Sequence, residues 1–381
     1  MKIFVKIFLC LIVICFTMVT PVMRRNTNVA LAKYDSVAQS MVVIEAKSGR
    51  VLNEKNAKTR RPMASTTKIA TAITVIENEK NIQREIVVPN EAQGVEGSSI
   101  YLQAGERIKI IDLLYGLMLQ SGNDCAVALA LSVCDSIEEF SLLMNETVKK
   151  AGAENTNFVN PHGLHDDNHY TTAIDLAKIT AYALKNKIFA NIVSTKKYTC
   201  RWDGKEYDRV LINKNKILST YEGGNGVKTG YTKKAGRCLV ASAKKNGMEI
   251  IAVVLNCGPM FEDCKNLMDD AFENYKMVNF SEYFCGKIMA NVFKGKEKQV
   301  ALSVSKGRTY PLNKKEINAL TYETENIIEM TAPIEIGKEN GKIKIFVENE
   351  LLFVEKLFTI KDVDALTMND TLGGLVEKWH S

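Results

Sequence analysis

Residues 62–76 read Pro-Met-Ala-Ser-Thr-Thr-Lys-Ile-Ala-Thr-Ala-Ile-Thr-Val-Ile. From Ser65 onward, its apolar residues leave almost no polar face on a helix: Ile69, Ala70, Ala72, Ile73, Val75 and Ile76. A helix that is apolar nearly all round is buried in the middle of a domain. Ser65 and Lys68 lie three positions apart at its start, so they share one face. The stretch therefore predicts a central helix that carries a hydroxyl beside an amine.

The segments around this helix predict an antiparallel sheet with helices packed on it. Before it, residues 41–52 alternate and turn at Lys47-Ser48-Gly49, which is typical of a two-stranded hairpin. After it, helical periodicity recurs in four segments: 110–120, 126–133, 138–151 and 172–186. Strand candidates follow at residues 228–232, 237–244 and 248–256, and then a closing helix at 261–275. Asn246-Gly247 predicts a tight hairpin between the last two strands. Strands at both ends of a helical segment are typical of a sheet covered by helices.

The segment after about Met277 predicts a second, small β-rich domain. Apolar and polar residues alternate there in four short runs: 300–304, 334–336, 343–347 and 352–354. Asn340-Gly341 predicts a turn between two of them. We place this domain at residues 278–361 and a tail at 362–381. Two glycines interrupt the tail, so it is weak as an amphipathic membrane helix, and association with a membrane surface stays open beside a packed terminus.

Residues 1–32 have the layout of a secretory signal peptide. They contain no acidic residue, and two lysines precede an apolar run at residues 7–22. Ala30-Leu31-Ala32 then fits a small-x-small cleavage site. Arg24 and Arg25 lengthen the segment before that site, so an uncleaved N-terminal anchor is the alternative. In both cases we expect the chain from residue 33 onward to be exported, to the cell wall or the outer face of the cell membrane.

The composition is that of an ordinary globular protein, and it gives little support to a nucleic-acid partner. The 381 residues are 46% hydrophobic and 25% charged, with a net charge of +6. Four of these positive charges lie in the predicted signal peptide, which leaves +2 on the exported chain, so we predict no nucleic-acid binding. Seven of the nine cysteines follow residue 32 without a CxxC pair, and most are interpreted as small buried apolar residues.

The sequence Ser65-Thr66-Thr67-Lys68 has the residues of an activated nucleophile. A serine hydroxyl is a weak nucleophile until an adjacent base takes its proton. Lysine becomes such a base when burial or a second cation lowers its pKa. The backbone N–H of Ser65, at the start of a helix, is free to bind an oxyanion. Alone, the pattern favours a serine that simply caps a helix, because S-x-x-K often arises by chance.

Two further motifs have both a chemical and an ordinary interpretation. Ser121-Gly122-Asn123 follows a predicted helix, where a hydroxyl and a carboxamide could relay a proton and hold a substrate amide, or simply form a turn. Lys228-Thr229-Gly230-Tyr231-Thr232 lies on a predicted strand. Its lysine and hydroxyl could approach one ligand that pairs with the strand, and its glycine would let that ligand come close. Alone, it could also be an edge strand with a protective charge.

Taken together and in this order, the three motifs S-x-x-K, S-x-N and K-T-G resemble those of β-lactamases and penicillin-binding proteins. Over residues 36–276 the chain is similar to the low-molecular-mass penicillin-binding proteins that are serine-type D-Ala-D-Ala carboxypeptidases. The residues that carry this resemblance are Ser121-Gly122-Asn123, the segments 62–68 and 226–232, and Asn160-Pro161-His162-Gly163-Leu164. The resemblance implies an α/β catalytic domain over residues 33–277, with helices on both faces of an antiparallel sheet as in β-lactamases and transpeptidases. A small all-β domain would follow it.

The same resemblance implies a D-alanyl-D-alanine carboxypeptidase that acts on peptidoglycan stem pentapeptides and is acylated by β-lactam antibiotics. Ser65 would attack the carbonyl between the two terminal D-alanines, with Lys68 as its general base. Ser121 would help pass the proton to the leaving amine. Water would then hydrolyse the acyl-enzyme, and no metal or organic cofactor is implied.

The implied substrate-binding residues lie on two of the motifs. Asn123 would hold the amide on the acyl side, Lys228 would supply positive potential, and Thr229 would contact the terminal carboxylate. The backbone N–H groups of Ser65 and Tyr231 would form the oxyanion hole. Gly230, next to Tyr231, would let the strand approach the ligand.

This sequence departs from the resemblance at one point. Relatives often place an arginine shortly after the strand that ends here near Asn256, where it helps to bind the substrate carboxylate. Residues 256–265 contain no arginine. Lys265 and Arg237 are the candidates to replace it, and the efficiency of the carboxypeptidase reaction is therefore open.

Three histidines suggest a zinc site as an alternative chemistry. His162, His165 and His169 fall within eight residues, with two aspartates between them. The segment lacks H-E-x-x-H, and its Asn-Pro and His-Gly dipeptides are typical of a loop. We therefore interpret these residues as loop packing near the site and predict no metal.

Two alternative functions remain beside the carboxypeptidase. A β-lactamase needs a deacylating glutamate, and Glu138 and Glu139 lack the E-x-x-L-N spacing. We therefore expect bound penicillin to stay attached for minutes or longer. A non-catalytic wall-binding scaffold would explain the missing arginine, but all the catalytic residue types are present.

Overall fold

The structure, a computed structural model, describes residues 34–370 and residue 372. The predicted signal peptide at residues 1–32 lies outside the described residues, as do residue 371 and residues 373–381 of the predicted tail. The strands before residue 260 are β1 (Ser40–Glu45), β2 (Val51–Lys55), β3 (Glu85–Val87), β4 (Arg107–Lys109), β5 (Lys197–Cys200), β6 (Arg209–Ile212), β7 (Gly224–Thr232), β8 (Gly236–Lys245) and β9 (Met248–Leu255). The helices that accompany them are α1 (Lys68–Asn78), α2 (Ile110–Tyr115), α3 (Asn123–Val133), α4 (Ile137–Lys150), α5 (Ala173–Leu184), α6 (Lys187–Ser194), α7 (Ile217–Thr220) and α8 (Met260–Asn274).

A five-stranded antiparallel sheet with the order β2-β1-β9-β8-β7 forms the centre of this region, and β7 is one of its edges. All six residues of β1 are buried, which requires cover on both faces of the sheet. Val42 and Ile44 of β1 belong to the main apolar core together with residues of α1 and α5. The alternate residues Met41 and Val43 are equally buried on the other face. The predicted antiparallel sheet with helices on both faces is confirmed.

The helix α1 runs through the middle of the apolar core, as its sequence predicts. It is preceded by a 3-10 turn at Ala64–Thr67, and every residue from Lys68 to Ile76 is buried. Helices α3, α4 and α5 pack around it. A helix without a polar face can only be stable in such surroundings, because each exposed apolar side chain would lose its burial energy.

The predicted helix at residues 110–120 is regular only in its first half. It is α-helical to Tyr115 and continues as a π-helical turn at Gly116–Gln120. Ser121 then takes a left-handed conformation with φ 66°, which redirects the chain into α3. The β5–β6 hairpin and the helix α6 had no predicted counterpart, because both are short and only half-buried.

The predicted β-rich C-terminal domain is confirmed. Its strands are β10 (Tyr275–Asn279), β11 (Ile288–Phe293), β12 (Gln299–Ser303), β13 (Thr309–Asn313), β14 (Leu320–Glu325), β15 (Met330–Thr331), β16 (Glu339–Val347) and β17 (Glu350–Thr359), with the short helices α9 (Phe280–Tyr283) and α10 (Lys314–Asn318). Most of them form a sheet with the order β14-β16-β17-β12-β11-β15. The predicted boundary between residues 277 and 278 falls inside β10, which pairs with β13, and it stays a prediction.

The predicted turn at Asn340-Gly341 is wrong. Both residues lie inside β16, at an irregularity between Glu339 and Lys342. The Asn340 side chain donates to the Ile328 carbonyl and accepts from its N–H, so it serves a neighbouring loop. The tight turn between β16 and β17 is at Glu348-Asn349, where φ is 50° and 68°.

Arg50, in the β1–β2 hairpin, ties the catalytic region to the β-rich region. Its guanidinium donates to the Pro311 carbonyl and to the Glu316 carboxylate. It also lies 5.3 Å from the ring centres of both Tyr275 and Tyr310.

Within the described part of the chain, no helix has the length and apolarity that a membrane span requires.

Candidate active site

Ser65 and Lys68 lie at the N-terminal end of α1, where the 3-10 turn passes into the helix. Lys68 Nζ is 3.1 Å from Ser65 Oγ. The Lys68 side chain is fully buried, whereas Ser65 is partly exposed. The pair therefore presents a hydroxyl that a ligand can reach, with an amine directly behind it.

The Lys68 amine has three oxygen partners. Besides Ser65, Nζ contacts Asn123 Oδ1 at 2.6 Å and the His162 carbonyl oxygen at 2.7 Å. Both of these oxygens can only accept a hydrogen bond. When the amine is neutral it has two N–H bonds and one lone pair, and with both N–H bonds on these two oxygens its lone pair is left for the Ser65 hydroxyl. This arrangement is that of a general base in contact with its nucleophile.

Three lysines lie close enough for the charge of one to lower the pKa of another. Burial lowers the pKa of Lys68 well below its usual range, and the positive charge of Lys228 lowers it further. Lys228 is itself buried, and burial together with the charge of Lys214 lowers its pKa to about 7. Lys214 donates from Nζ to the Gln120 carbonyl at 2.8 Å. The neutral form of Lys68, which the base needs, is thus favoured by physical causes that are present in the fold.

Asn123 orients its amide for Lys68 through a second contact. Its Nδ2 donates to the Glu96 carbonyl at 2.5 Å, so Oδ1 must face Lys68. The Asn123 backbone N–H donates to the Ser98 carbonyl at 2.7 Å. Gly97 lies between these residues, with φ +98°, and a Cβ on it would be 2.7 Å from Asn123 Nδ2. Only glycine fits at this position, because both the backbone conformation and the space exclude a side chain.

Asp124, next to Asn123, holds the loop 96–102 in place. Its carboxylate is buried and accepts from Ser99 Oγ at 2.5 Å, from the Ile100 N–H at 3.0 Å and from the Leu102 N–H at 3.1 Å. Three donors to one buried carboxylate compensate its desolvation. Asp124 therefore fixes the loop whose carbonyl groups orient Asn123.

The strand β7 passes directly beside the nucleophile. A Cβ on Gly230 would lie 3.1 Å from the backbone nitrogen of Ser65 and 3.0 Å from the Met63 carbonyl oxygen. Lys228 and Gly230 alternate with Thr229 along the strand, so they face the turn that carries Ser65. Lys228 Nζ donates to the Thr229 carbonyl at 3.0 Å.

The remaining predicted residues lie at the border of this centre. Ser121, 6% exposed, ends the π-helical turn two residues before Asn123. Tyr231 continues β7 and is 65% exposed. Among the hydrogen bonds of the described residues, none involves Ser121 Oγ or Thr229 Oγ1. Their roles toward a substrate stay predictions.

The two candidates for the missing arginine occupy different places. Arg237 on β8 is paired in register with Tyr231, and its Nη1 donates to the Gly258 carbonyl at 3.2 Å. Its guanidinium therefore lies against the segment 256–260 that follows β9. Lys265 lies on α8, with its Nζ 4.0 Å from the Glu262 carboxylate. Of the two candidates, Arg237 is the one on the strand next to β7.

The three histidines are engaged separately. His169 Nε2 contacts Thr67 Oγ1 at 2.8 Å, His162 Nδ1 accepts from the Leu164 N–H at 3.2 Å, and His165 lies 3.4 Å from Asp167. Burial lowers the pKa of His162 to about 3 and that of His169 to about 4. Residues 34–370 and 372 contain no group of three or more His, Cys, Asp and Glu side chains arranged to hold a metal ion.

Sequence reasoning missed two residues of the site. Lys214, in the segment after β6, donates to the Gln120 carbonyl beside the site, and Asp124 accepts hydrogen bonds from the loop 96–102. Lys214 belongs to no motif and has no signal in the sequence. Asp124 directly follows the Ser-Gly-Asn motif, but only the fold shows that its carboxylate is buried.

Comparison with known proteins agrees with this site. Residues 26–258 match the family described as D-alanyl-D-alanine carboxypeptidase, and residues 272–365 match the family described as penicillin-binding protein 5, C-terminal domain. The chain is 33% identical to the D-alanyl-D-alanine carboxypeptidase DacF of Bacillus subtilis, over 83% of each chain. It is 32% identical to DacA of Escherichia coli K12, over 86% of this chain and 83% of that one.

Solved structures show the same fold. Penicillin-binding protein 5 of Haemophilus influenzae superposes with a TM-score of 0.68 at 27% identity, over 87% of this chain and 98% of that one. The DD-transpeptidase of Streptomyces K15 superposes with a TM-score of 0.61 at 31% identity, over 64% of this chain and all of that one.

The fold and the comparisons define a serine peptidase with a β-rich second domain, of the low-molecular-mass penicillin-binding class. The chain belongs to the D-alanyl-D-alanine carboxypeptidase family.

Proposed function

We propose that Ser65 attacks the carbonyl between the two terminal D-alanines of peptidoglycan stem pentapeptides. The observation that carries this proposal is the bonding of the Lys68 amine. Two carbonyl oxygens accept its N–H bonds, and the third contact is Ser65 Oγ at 3.1 Å. A buried amine that contacts a serine hydroxyl, and whose pKa is lowered well below its usual range by burial, is suited to take the proton of that hydroxyl.

The proposed reaction proceeds in two halves. The Ser65 proton moves to Lys68 Nζ while Oγ bonds to the carbonyl carbon, and the resulting oxyanion is bound by the N–H groups of Ser65 and Tyr231. The C–N bond then breaks, and the proton passes by way of Ser121 to the amine of the leaving D-alanine. A water molecule, deprotonated by Lys68, next attacks the acyl ester and restores the Ser65 hydroxyl, which releases the shortened peptide.

Positive charge at the end of the site would bind the terminal carboxylate of the substrate. Lys228 and Lys214, whose charges act on one another in this site, and Arg237, opposite Tyr231 on the next strand, would supply it. Thr229 would donate its hydroxyl to the same carboxylate. The remaining N–H of Asn123 Nδ2, which the Glu96 carbonyl leaves unused, would hold the amide on the acyl side.

We further propose that β-lactams acylate Ser65 and that this acyl-enzyme is long-lived. Glu138 and Glu139, the candidates for a deacylating base, are exposed in the first turn of α4. Glu139 accepts from the Asp135 N–H there, which is the role of a helix-capping residue. Neither carboxylate is arranged to activate a water molecule, so a β-lactamase is disfavoured.

The decisive experiment measures free D-alanine released from a stem pentapeptide. We expect release by the wild type and none by Ser65→Ala, while Ser219→Ala, an exposed serine on α7, serves as the matched control. A labelled penicillin should stay attached to the wild type for minutes and should not label Ser65→Ala. Absence of both release and labelling in the wild type would favour the non-catalytic scaffold, and rapid penicillin turnover would favour a β-lactamase.

The place of action follows from the proposed substrate. Peptidoglycan lies outside the cytoplasmic membrane, and residues 1–32 have the sequence of an export signal. We therefore propose an extracytoplasmic enzyme of the cell wall, with its tail at residues 362–381 as the segment to test for association with a membrane surface. Fractionation of cells before and after removal of this tail would test both parts of the proposal.

A further inference from the structure

A chain of hydrogen bonds leads from a buried histidine to the peptide group that precedes the nucleophile. Thr67 Oγ1 donates to the Ala64 carbonyl oxygen at 2.8 Å. His169 Nε2 lies 2.8 Å from the same Thr67 Oγ1. Both Thr67 and His169 are buried, at 0% and 3% exposure. Neither residue contacts Ser65 or Lys68 through a side-chain hydrogen bond.

The direction of each bond in this chain is determined. The Val159 N–H donates to His169 Nδ1 at 3.2 Å, so Nδ1 carries the lone pair and Nε2 carries the hydrogen. Because the Thr67 hydroxyl proton is directed to the Ala64 carbonyl, Thr67 Oγ1 is an acceptor toward His169. The imidazole thus holds the hydroxyl, and the hydroxyl holds the carbonyl.

The Ala64 carbonyl is fixed on its other side as well. A Cβ on Gly163 would lie only 2.1 Å from this oxygen, so the loop after His162 encloses it. Ala64 itself has φ 50°, a conformation that a non-glycine residue adopts only when its surroundings impose it. The peptide group between Ala64 and Ser65 is therefore held by its environment.

The orientation of this peptide group decides where the Ser65 N–H points. The peptide bond is planar and trans, so the N–H of Ser65 points away from the carbonyl of Ala64. In the proposed mechanism this N–H binds the oxyanion. We propose that Thr67 and His169 are positioning residues that hold the oxyanion-binding N–H of Ser65 through the Ala64 carbonyl. This inference rests on the proposed acylation of Ser65.

Acylation by a fluorescent penicillin, followed in single turnover, tests the proposal. Thr67→Val removes the hydroxyl at nearly constant volume and should lower the acylation rate constant about 10- to 100-fold, below the full loss of one oxyanion donor. Thr67→Ser keeps the hydroxyl, and its acylation rate constant should stay within about threefold of that of the wild type. The affinity for a peptide boronic acid, whose tetrahedral adduct occupies the oxyanion site, should fall with the rate, whereas the affinity for the tetrapeptide product should not change.

Thr66 provides a matched control in the same turn. It is equally buried, and its Oγ1 donates to the Met63 carbonyl at 2.7 Å. That carbonyl shares its peptide group with the N–H of Ala64 and not with that of Ser65. Thr66→Val should therefore lose stability like Thr67→Val but acylate within about threefold of the wild type.

The role of His169 is tested by coupling. His169→Phe keeps an aromatic ring and removes both nitrogens, and its effect on acylation should not add to that of Thr67→Val, because both act through one carbonyl. The inference is overturned if folded Thr67→Val acylates normally, if Thr66→Val is equally slow, or if the two effects add. If instead the wild type shows no acylation while folded, the proposed function fails and not the positioning alone.

Discussion

Gly230→Ala should slow the acylation of Ser65 by steric displacement. Gly230 lies on β7, its φ is outside the left-handed region, and alanine can therefore keep its backbone conformation. The new Cβ would be 3.0 Å from the Met63 carbonyl oxygen and 3.1 Å from the backbone nitrogens of Ser65 and Thr66. All three are backbone atoms of one turn, so no side-chain rotation can relieve the contact.

The size of the effect follows from these distances. Normal contact begins at about 3.5 Å, so the strand and the turn must separate by about 0.4 Å. A displacement of about 1 Å in a reacting group costs about 10²-fold in rate, so we expect a loss of about 10-fold in the acylation rate constant. Overpacking should also lower the free energy of unfolding by about 1–3 kcal/mol.

The assay is single-turnover acylation by a fluorescent penicillin, with urea unfolding of the same samples. Gly258→Ala is the matched control, because Gly258 also lacks a positive φ and a Cβ on it would meet nothing within 4 Å. The reasoning is refuted if Gly230→Ala is both as stable and as fast as the wild type, since β7 would then not pack closely on the Ser65 turn. An equal loss in Gly258→Ala would refute it as well.

Three further perturbations test other parts of the structure. Arg237→Ala should raise KM for the pentapeptide by about 10-fold through loss of a carboxylate contact, while Lys265→Ala should leave KM unchanged. Steady-state kinetics in which KM rises in Lys265→Ala and not in Arg237→Ala would exclude Arg237 as the replacement for the missing arginine. Arg50→Ala leaves the buried Glu316 carboxylate without its cationic partner and should lower the free energy of unfolding by about 3 kcal/mol, and an unchanged urea midpoint would contradict this. Burial lowers the pKa of His162 to about 3 and of His169 to about 4, so below pH 6.5 the unfolded chain binds protons that the folded chain does not. The stability that these two histidines contribute should therefore be fully present above about pH 6.5, and the free energy of unfolding should fall by about 1.4 kcal/mol per histidine and pH unit as the pH is lowered toward 4. His169→Gln should remove half of this slope. Urea midpoints that are flat from pH 7 to 5 would contradict the prediction.

The parts of the structure that follow from local sequence could be predicted. The buried helix α1, the hairpin at Asn246-Gly247 and each of the three motifs taken singly depend on residues a few positions apart. Ser65 and Lys68 face each other because any helix places positions three apart on one face. Residues that meet by tertiary packing alone could not be found in this way.

Lys214 shows the limit most clearly. It is separated from Lys228 by a short helix and the start of β7, and from Lys68 by most of the domain, so no periodicity connects them. The turn predicted at Asn340-Gly341 failed for a similar reason. An asparagine before glycine is favourable in a tight turn, but Asn340 uses its side chain to bind Ile328 from a neighbouring loop, and this tertiary contact prevails over the local preference.

The hydrogen bonds of Asp124 bear on why a nearby carboxylate does not reverse the lowered pKa of Lys68. The negative charge of Asp124 raises the pKa of Lys68, but its effect ranks below those of burial and of Lys228. The Asp124 carboxylate accepts hydrogen bonds from Ser99, Ile100 and Leu102, so the donors that stabilise its charge belong to the loop 96–102 and not to Lys68. The amine instead contacts the uncharged oxygens of Asn123 and His162. A carboxylate at either place would form an ion pair and favour the protonated amine, which has no lone pair for Ser65. Asn123→Asp should therefore abolish acylation at neutral pH even though it changes the side chain by a single atom.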